Sequence, residues 1–138
     1  MSISIPASHR DLLEQPIVIT LTTVTARGEP YSIVTWKRWD GGDYIYITSD
    51  AGTRKHRNIA ENPNVAVLAL APNNTQRYLS LGGVVEAMIT TDVVAELDKQ
   101  SLAFTNVKYF GNHEPAENEA SFNGVYFKIR ITRAVKFG

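Results

Sequence analysis

The chain has 138 residues, a length at which one domain buries a substantial core but two ordinary domains do not. Hydrophobic residues make up 43% of it and charged residues 20%, which is typical of a folded globular protein and not of a disordered one. With 14 basic and 14 acidic residues the net charge is +0, so the overall charge favours neither nucleic acid nor an anionic membrane as a partner. We therefore expect a single domain over residues 1–138 in which any anion-binding site is local.

Cysteine is absent, which excludes disulfides, thiolate metal sites and a cysteine nucleophile. Residues 1–10 lack the basic start and long apolar run of a signal peptide, and no apolar stretch is long enough to span a bilayer. These features predict a cytoplasmic protein with no membrane partner. His9, His56 and His113 are not spaced as metal ligands, so we expect no metal site.

The chain begins with a short helix and then changes to strands. Ser8 and Asp11 predict a capped helix that ends before Pro16. Beyond it, β-branched and aromatic runs separated by turn residues are typical of antiparallel strands. Gly82 and Gly83 fall inside the longest run and indicate a bulge or a close backbone approach. The expected strands lie near residues 17–24, 31–39, 44–48, 65–71, 76–89 and 122–137.

Two further helices interrupt the strands. One is expected from Thr53 to about Glu61, because the residue before Pro63 avoids helical backbone angles. Another begins near Thr91, whereas residues 104–121 have no clear period and are expected to form a long loop. Six strands in hairpin order with short helices favour a small closed or partly closed barrel. The apolar face of the second helix is expected to contain Val93, Val94, Leu97 and Leu102.

The most informative segment is residues 48–58, TSDAGTRKHRN, which places three cations in the first turns of the predicted helix. A helix N-terminus carries a partial positive charge, so Arg54 and Lys55 are each unfavourable there by about 0.3–1 kcal/mol unless an anion binds. Backbone N–H groups after Gly52 and the two cations would form a phosphate site. A basic cluster after an N-cap is, taken alone, more typical of solvated surface cations, so its context decides. Hydroxyls that would join the site are those of Thr48, Ser49 and Thr53.

Sequence motifs around this cluster resemble those of a known protein family. They are residues 44–49 (YIYITS), 52–59 (GTRKHRNI) and 62–68 (NPNVAVL), with 19–24, 28–30, 34–36 and 78–86 as further matching stretches. Their order and spacing are similar to those of the pyridoxamine 5′-phosphate oxidase-like superfamily, whose members bind FMN or the deazaflavin F420. The resemblance implies a mainly β fold, a six-stranded antiparallel split β-barrel with short helices.

The resemblance also implies a cofactor site at a homodimer interface. Two cations would contact the cofactor phosphate, three residues of the second predicted strand would lie along the ring system, and a second subunit would complete the pocket. For Trp36, packing in the core is the alternative to stacking on the cofactor. The implied cofactor-binding residues are Val34, Thr35, Trp36, Thr48, Ser49, Arg54, Lys55 and Asn58, with Arg77 and Tyr78 from the second subunit.

The sequence departs from the family pattern in two places. Ser80 stands where true pyridoxamine-phosphate oxidases carry an arginine, and residues 130–138 do not reproduce their terminal signature. We therefore do not expect vitamin B6 oxidation. The Arg-Lys-x-Arg-Asn run at residues 54–58 is more similar to short F420-dependent reductases.

The choice between FMN and F420 stays open, because both have a phosphate beside a tricyclic ring. F420 adds a charged glutamyl tail. Arg10, Lys37 and Arg38 are candidate partners of that tail, although strand alternation places Lys37 and Arg38 on opposite faces.

These observations give three functional hypotheses. The first is an oxidoreductase that uses F420 or FMN to transfer a hydride to or from a small organic substrate, with no side chain as catalytic acid or base. The second is a non-catalytic carrier or sensor that holds a flavin or haem, for which haem favours an axial histidine. An OB-type nucleic-acid barrel is the third, and the neutral charge and absence of a basic aromatic face argue against it.

Overall fold

A computed structural model describes residues 2–109 and 122–138, and these form a mainly β protein, as predicted. The strands of the described residues join one antiparallel sheet in the order β2-β1-β5-β6-β7-β4-β3. They are β1 (Ile19–Val24), β2 (Pro30–Thr35), β3 (Arg38–Trp39), β4 (Tyr44–Asp50), β5 (Asn64–Leu70), β6 (Tyr78–Ile89) and β7 (Gly124–Phe137). A 3-10 turn (Ala7–His9) precedes helix α1 (Asp11–Glu14), and α2 (Arg54–Glu61) and α3 (Val93–Thr105) follow later in the chain.

The two edge strands of this sheet, β2 and β3, are consecutive in the chain. Thr35 ends one edge and Arg38 begins the other, with Trp36 and Lys37 between them. Three peptide steps reach about 10 Å at most, so the sheet has to curl until its edges come close. We call Thr35–Arg38 the seam. It divides the predicted strand 31–39 into two, which is why the sheet has seven strands where six were expected.

Alternation along the strands places the core inside the curled sheet. Strands β1, β4 and β5 bury every second residue, the pattern expected of strands with one face on a core. The predicted bulge is confirmed, because the pairing of β6 with β7 shifts register between Gly82 and Gly83. A Cβ on Gly83 would lie 2.6 Å from the Cγ2 atom of Ile129, so only glycine fits this approach.

The N-terminal segment is more buried than its sequence indicated. Leu12 and Leu13 of α1 are buried in the core. Ser8 does not cap the helix; its hydroxyl lies 2.7 Å from Nδ1 of His9. His9 is 1% exposed, and its Nε2 atom lies 3.0 Å from the backbone oxygen of Phe137. The first predicted helix is therefore correct in position but wrong in its cap.

Helix α3 packs on the outer side of the sheet with a partly polar face. Val93 and Leu97 are buried as predicted, whereas Leu102 is exposed. Glu96 is buried, and its Oε2 atom accepts a hydrogen bond from the amide of Gln100. The helix extends through the start of the predicted loop, and the rest of that loop from residue 110 to 121, with His113, lies outside the described residues. Within the described part of the chain, no helix is both long and apolar enough to cross a lipid bilayer.

Candidate functional site

A cleft of about 400 Å³ opens beside the seam, on the outer side of the sheet. Its floor comes from β2 and β4 and its side from α3, so three elements that are distant in sequence form it. We call it the seam cleft. Its lining residues are Val18, Val34, Thr35, Trp36, Thr48, Leu97 and Tyr109.

A second cleft, of about 210 Å³, continues from the first toward the start of α2. We call it the lysine cleft, because Lys55 is its cation. The two clefts have Thr48, Leu97 and Tyr109 in common, so they form one continuous groove. The lysine cleft adds Ser49, Asp50, Lys55 and Phe122 to those three residues.

Aromatic stacking fixes one wall of the seam cleft. The ring of Trp36 lies 5.3 Å from that of Phe104 on α3, with 14° between the ring planes. Such an offset stack is a favourable aromatic geometry and holds the indole in place. Opposite the polar residues, Val34 is 68% exposed and contributes an apolar surface. A flat, largely apolar ring system fits a wall of this kind.

Both cations of the seam have partners within the protein. Lys37 is 3% exposed, and its Nζ atom donates to the backbone oxygens of Gln15 (2.7 Å) and Ile17 (2.9 Å). Burial lowers the pKa of Lys37 to about 8. Arg38 donates two hydrogen bonds to Glu96, and this carboxylate raises the pKa of the guanidinium.

The candidate partners of an anionic tail are therefore already engaged by the protein. Besides the two seam cations, Arg10 lies over the ring of Trp39, 4.7 Å from its centroid. None of the three lines the groove, although Lys37 and Arg38 line a separate cavity of about 120 Å³ beneath it.

The environment of Lys55 differs from that of Lys37 and Arg38. Its side chain is half-buried at the lysine cleft, and it forms no ion pair within residues 2–109 and 122–138. Burial lowers the pKa of Lys55, while the nearby charge of Asp50 acts in the other direction. An anion in the lysine cleft would stabilise this ammonium, so the residue fits a phosphate.

Local hydrogen bonds shape the turn that presents Lys55. Gly52 has φ of +81°, a left-handed conformation that favours glycine, and its N–H donates to Nδ1 of His56 at 3.0 Å. Thr53 caps α2 by accepting a hydrogen bond from the backbone N–H of His56. His56 thus stabilises the turn and does not line the groove.

The hydroxyls near this turn donate within the protein. Ser49 Oγ donates to the backbone oxygen of Asp50 at 2.7 Å and lies 2.9 Å from Thr53 Oγ1. Because Ser49 has one proton and gives it to Asp50, Thr53 is the donor to Ser49. Among the described residues at this turn, the donors left for an anion are the ammonium of Lys55 and backbone N–H groups in the first turn of α2.

The structure brings together six of the ten predicted site residues. In the seam cleft or the lysine cleft these are Val34, Thr35, Trp36, Thr48, Ser49 and Lys55. Their cofactor-binding role stays a prediction. Sequence reasoning did not single out Val18 or Tyr109 as site residues, and it named Leu97 only for its place on an apolar helix face.

The other four predicted site residues lie elsewhere. Arg54 is exposed and lies over the ring of Tyr31, 5.1 Å from its centroid. Asn58 is buried and donates to Thr23 Oγ1 at 3.0 Å, which ties α2 to β1. Arg77 forms an ion pair with Asp11, and Tyr78 stacks on Phe137 at 5.2 Å. None of the four lines the groove of its own chain.

A curled antiparallel sheet with a groove at its seam defines a split-barrel protein, and comparison with known proteins identifies its family. The profile of the pyridoxamine 5′-phosphate oxidase family matches residues 5–136. The chain belongs to this family. A pyridoxine/pyridoxamine 5′-phosphate oxidase of Hahella chejuensis is 38% identical over 83 residues, which are 59% of this chain and 38% of that protein. The chain thus matches less than half the length of this curated relative.

Solved structures show the same fold. An F420 reductase is 30% identical to this chain with a TM-score of 0.80, over 95% of this chain and 98% of that one. The haem storage protein HutZ of Vibrio cholerae is 15% identical with a TM-score of 0.68, over 99% and 98% of the two chains. At that identity the second likeness concerns the fold alone.

Proposed function

We propose that this protein is an oxidoreductase that binds F420, or FMN in its place, and acts on a small organic substrate. The observation that carries the proposal is the half-buried ammonium of Lys55 at one end of a groove whose other end is apolar and aromatic. A cofactor with a phosphate at one end and a flat ring at the other matches that distribution. When bound, such a cofactor supplies the hydride transfer.

The side chains of the groove have binding and positioning roles in this proposal. Lys55 and the first turn of α2 hold the phosphate. Trp36, fixed by its stack on Phe104, sets the plane in which the ring lies. Leu97 and Val34 exclude water from the ring, which favours transfer between ring and substrate over side reactions. We assign no side chain as a general acid or base.

F420 is the preferred cofactor of the two. The F420 reductase is 30% identical to this chain with a TM-score of 0.80, and this likeness supports F420. Because the seam cations are engaged within the protein, an anionic tail would have to interact with other groups, beyond the mouth of the groove.

We further propose that two copies of the chain associate through the outer face of the sheet. Val34, Leu68 and Val135 are exposed apolar residues of that face, on β2, β5 and β7. Val34 pairs with Thr20, which in turn pairs with Leu68, so the two apolar side chains lie in one row of the same face with a threonine between them. Val34 also lines the seam cleft, so a second copy on this face would cover the groove.

The haem-binding hypothesis has less support. In the described part of the chain, His9 is buried against Phe137 and His56 accepts a hydrogen bond within its own turn. Neither histidine lines the groove. The third histidine, His113, lies outside the described residues.

Titration of the purified protein with F420 and with FMN tests the proposal. We expect quenching of the fluorescence of one of them at micromolar concentrations. Lys55→Ala should weaken that binding about tenfold to a hundredfold, because a charge-assisted contact is lost. Lys128→Ala is the matched control, since this lysine lies over the ring of Tyr44 and not in the groove. Absence of binding by either cofactor would refute the proposed function.

A further inference from the structure

A chain of hydrogen bonds beneath α3 ends at Thr48, one of the three residues that line both clefts. Arg38 begins it by donating to both carboxylate oxygens of Glu96, at 2.9 and 2.7 Å. Oε2 of Glu96 also accepts a hydrogen bond of 3.1 Å from Nε2 of Gln100, one helical turn further on. Glu96 and Gln100 are 3% and 1% exposed, so water does not compete for these contacts.

The amide of Gln100 has one orientation that suits its surroundings. Its Nε2 atom lies near two acceptors, Oε2 of Glu96 at 3.1 Å and the backbone oxygen of Tyr46 at 3.2 Å. A carboxylate and a carbonyl only accept hydrogen bonds, so the NH2 group has to face them and Oε1 has to face away. Oε1 then lies 3.5 Å from Thr48 Oγ1.

A hydrogen bond between the two side chains therefore requires Thr48 to be the donor. Every buried side-chain nitrogen or oxygen in the described residues has a partner, and Thr48 is the one that Oε1 of Gln100 has. Without that donated proton the amide oxygen would be buried and unpaired, which is costly. A hydroxyl whose proton is engaged presents only lone pairs on its other side. Toward the groove, Thr48 is thus an acceptor.

We propose that Thr48 recognises a hydroxyl of the polyol chain that joins ring and phosphate in both F420 and FMN. Arg38, Glu96 and Gln100 are positioning residues that fix the direction of the Thr48 proton. Thr48 lies where the seam cleft of Trp36 meets the lysine cleft of Lys55, which is where the linker of such a ligand passes. Polyol hydroxyls donate to an acceptor, whereas phosphate oxygens do not. This inference rests on the proposed function.

Binding of cofactor analogues that each lack one polyol hydroxyl tests the inference. The parent is whichever of F420 or FMN the wild-type protein binds, and the readout is the ratio of dissociation constants, analogue to parent. In the wild type we expect one analogue to bind about tenfold more weakly, since a buried acceptor loses its donor. Thr48→Val should bring that ratio close to one, and Thr48→Ser should retain it. Comparing ligands within each variant removes effects on folding.

Glu96→Gln tests the positioning residues. With one fixed acceptor beside its amide instead of two, Gln100 turns more freely, so the same ratio should fall. Glu86→Gln is the matched control, because Glu86 also pairs with an arginine but lies outside the groove. A ratio in Glu96→Gln equal to that of the wild type would overturn the positioning role.

The outcomes separate this inference from the proposed function. A wild-type protein that binds neither parent overturns both. If the parent binds but all analogues bind equally well, or if the tenfold ratio persists in Thr48→Val, the proposed function stands and the role of Thr48 is wrong.

Discussion

Two lysines near the groove are removed from water in different ways. Lys37, at the seam, is almost fully buried, and two backbone oxygens and the ring of Phe104 surround its ammonium. Lys55, at the start of α2, is half-buried and has no ion-pair partner among the described residues. Burial lowers the pKa of both. A cation with its donors engaged within the protein has a structural role, whereas a desolvated cation with no ion pair among the described residues is the one that we propose binds an anion.

The same contrast extends to the neighbouring arginines. Arg38 forms a two-point ion pair with a buried glutamate, while Arg54 interacts with the face of Tyr31 and with no carboxylate in the described ranges. Loss of a seam partner should therefore reduce stability, and loss of a cation near α2 should reduce ligand binding. Substitutions at Glu96, Lys37 and Lys55 distinguish the cations of the fold from the cation that we propose binds a ligand.

Glu96→Ala should have the largest effect on stability. It leaves the guanidinium of Arg38 without its carboxylate and the amide of Gln100 without one acceptor, at a loss of about 3 kcal/mol in the free energy of unfolding. Urea denaturation measures it. Glu86→Ala, at the exposed pair with Arg130, is the control and should lose much less. Equal losses in the two variants would show that the pair of Arg38 with Glu96 stabilises the fold no more than the exposed pair does.

Lys37 should make stability rise with pH. Its pKa is about 8 in the folded state and near 10.5 when unfolded, so between these values the unfolded chain binds more protons and alkali favours folding. Relative to Lys37→Met, the wild type should gain about 2 kcal/mol in the free energy of unfolding from pH 7 to pH 9.5. Parallel pH profiles of the two proteins would contradict this account of Lys37.

Lys55→Met should have the smallest effect on the ligand-free protein. Removal of a half-buried, unpaired charge leaves the free energy of unfolding unchanged or raises it by about 0.5 kcal/mol, since partial exposure screens the charge. Urea denaturation in phosphate-free buffer measures this change. A loss of more than about 1 kcal/mol would mean that Lys55 stabilises the fold.

Local patterns in the sequence predicted much of the fold and one side of the groove. Runs of β-branched and aromatic residues located β4 and β5. The short segment from Thr48 to Lys55 contains both the end of β4 and the cation of the groove, so no distant partner was needed. The seam was missed because Lys37 continues the polar alternation of a strand, and its partners lie 20 and 22 residues away.

The polar face of α3 was missed for a similar reason. Glu96 and Gln100 are one turn apart beside the apolar Val93 and Leu97, a spacing that places all four near one face. Burial of the two polar residues depends on Arg38 and Tyr46, which are 58 and 54 residues distant. Sequence periodicity does not reveal such partners. A polar pair at this spacing inside an apolar stripe nevertheless indicates that the two polar residues are buried.

The central claim is that Lys55 completes a phosphate site, and the most direct measurement compares FMN with riboflavin, which differ only in the phosphate. Dissociation constants of both are measured for the wild type and for Lys55→Ala. The wild type should bind FMN at least about tenfold more tightly than riboflavin, and the variant should bind the two nearly equally. A wild type that does not distinguish them, or a variant that keeps the full preference, would contradict the claim.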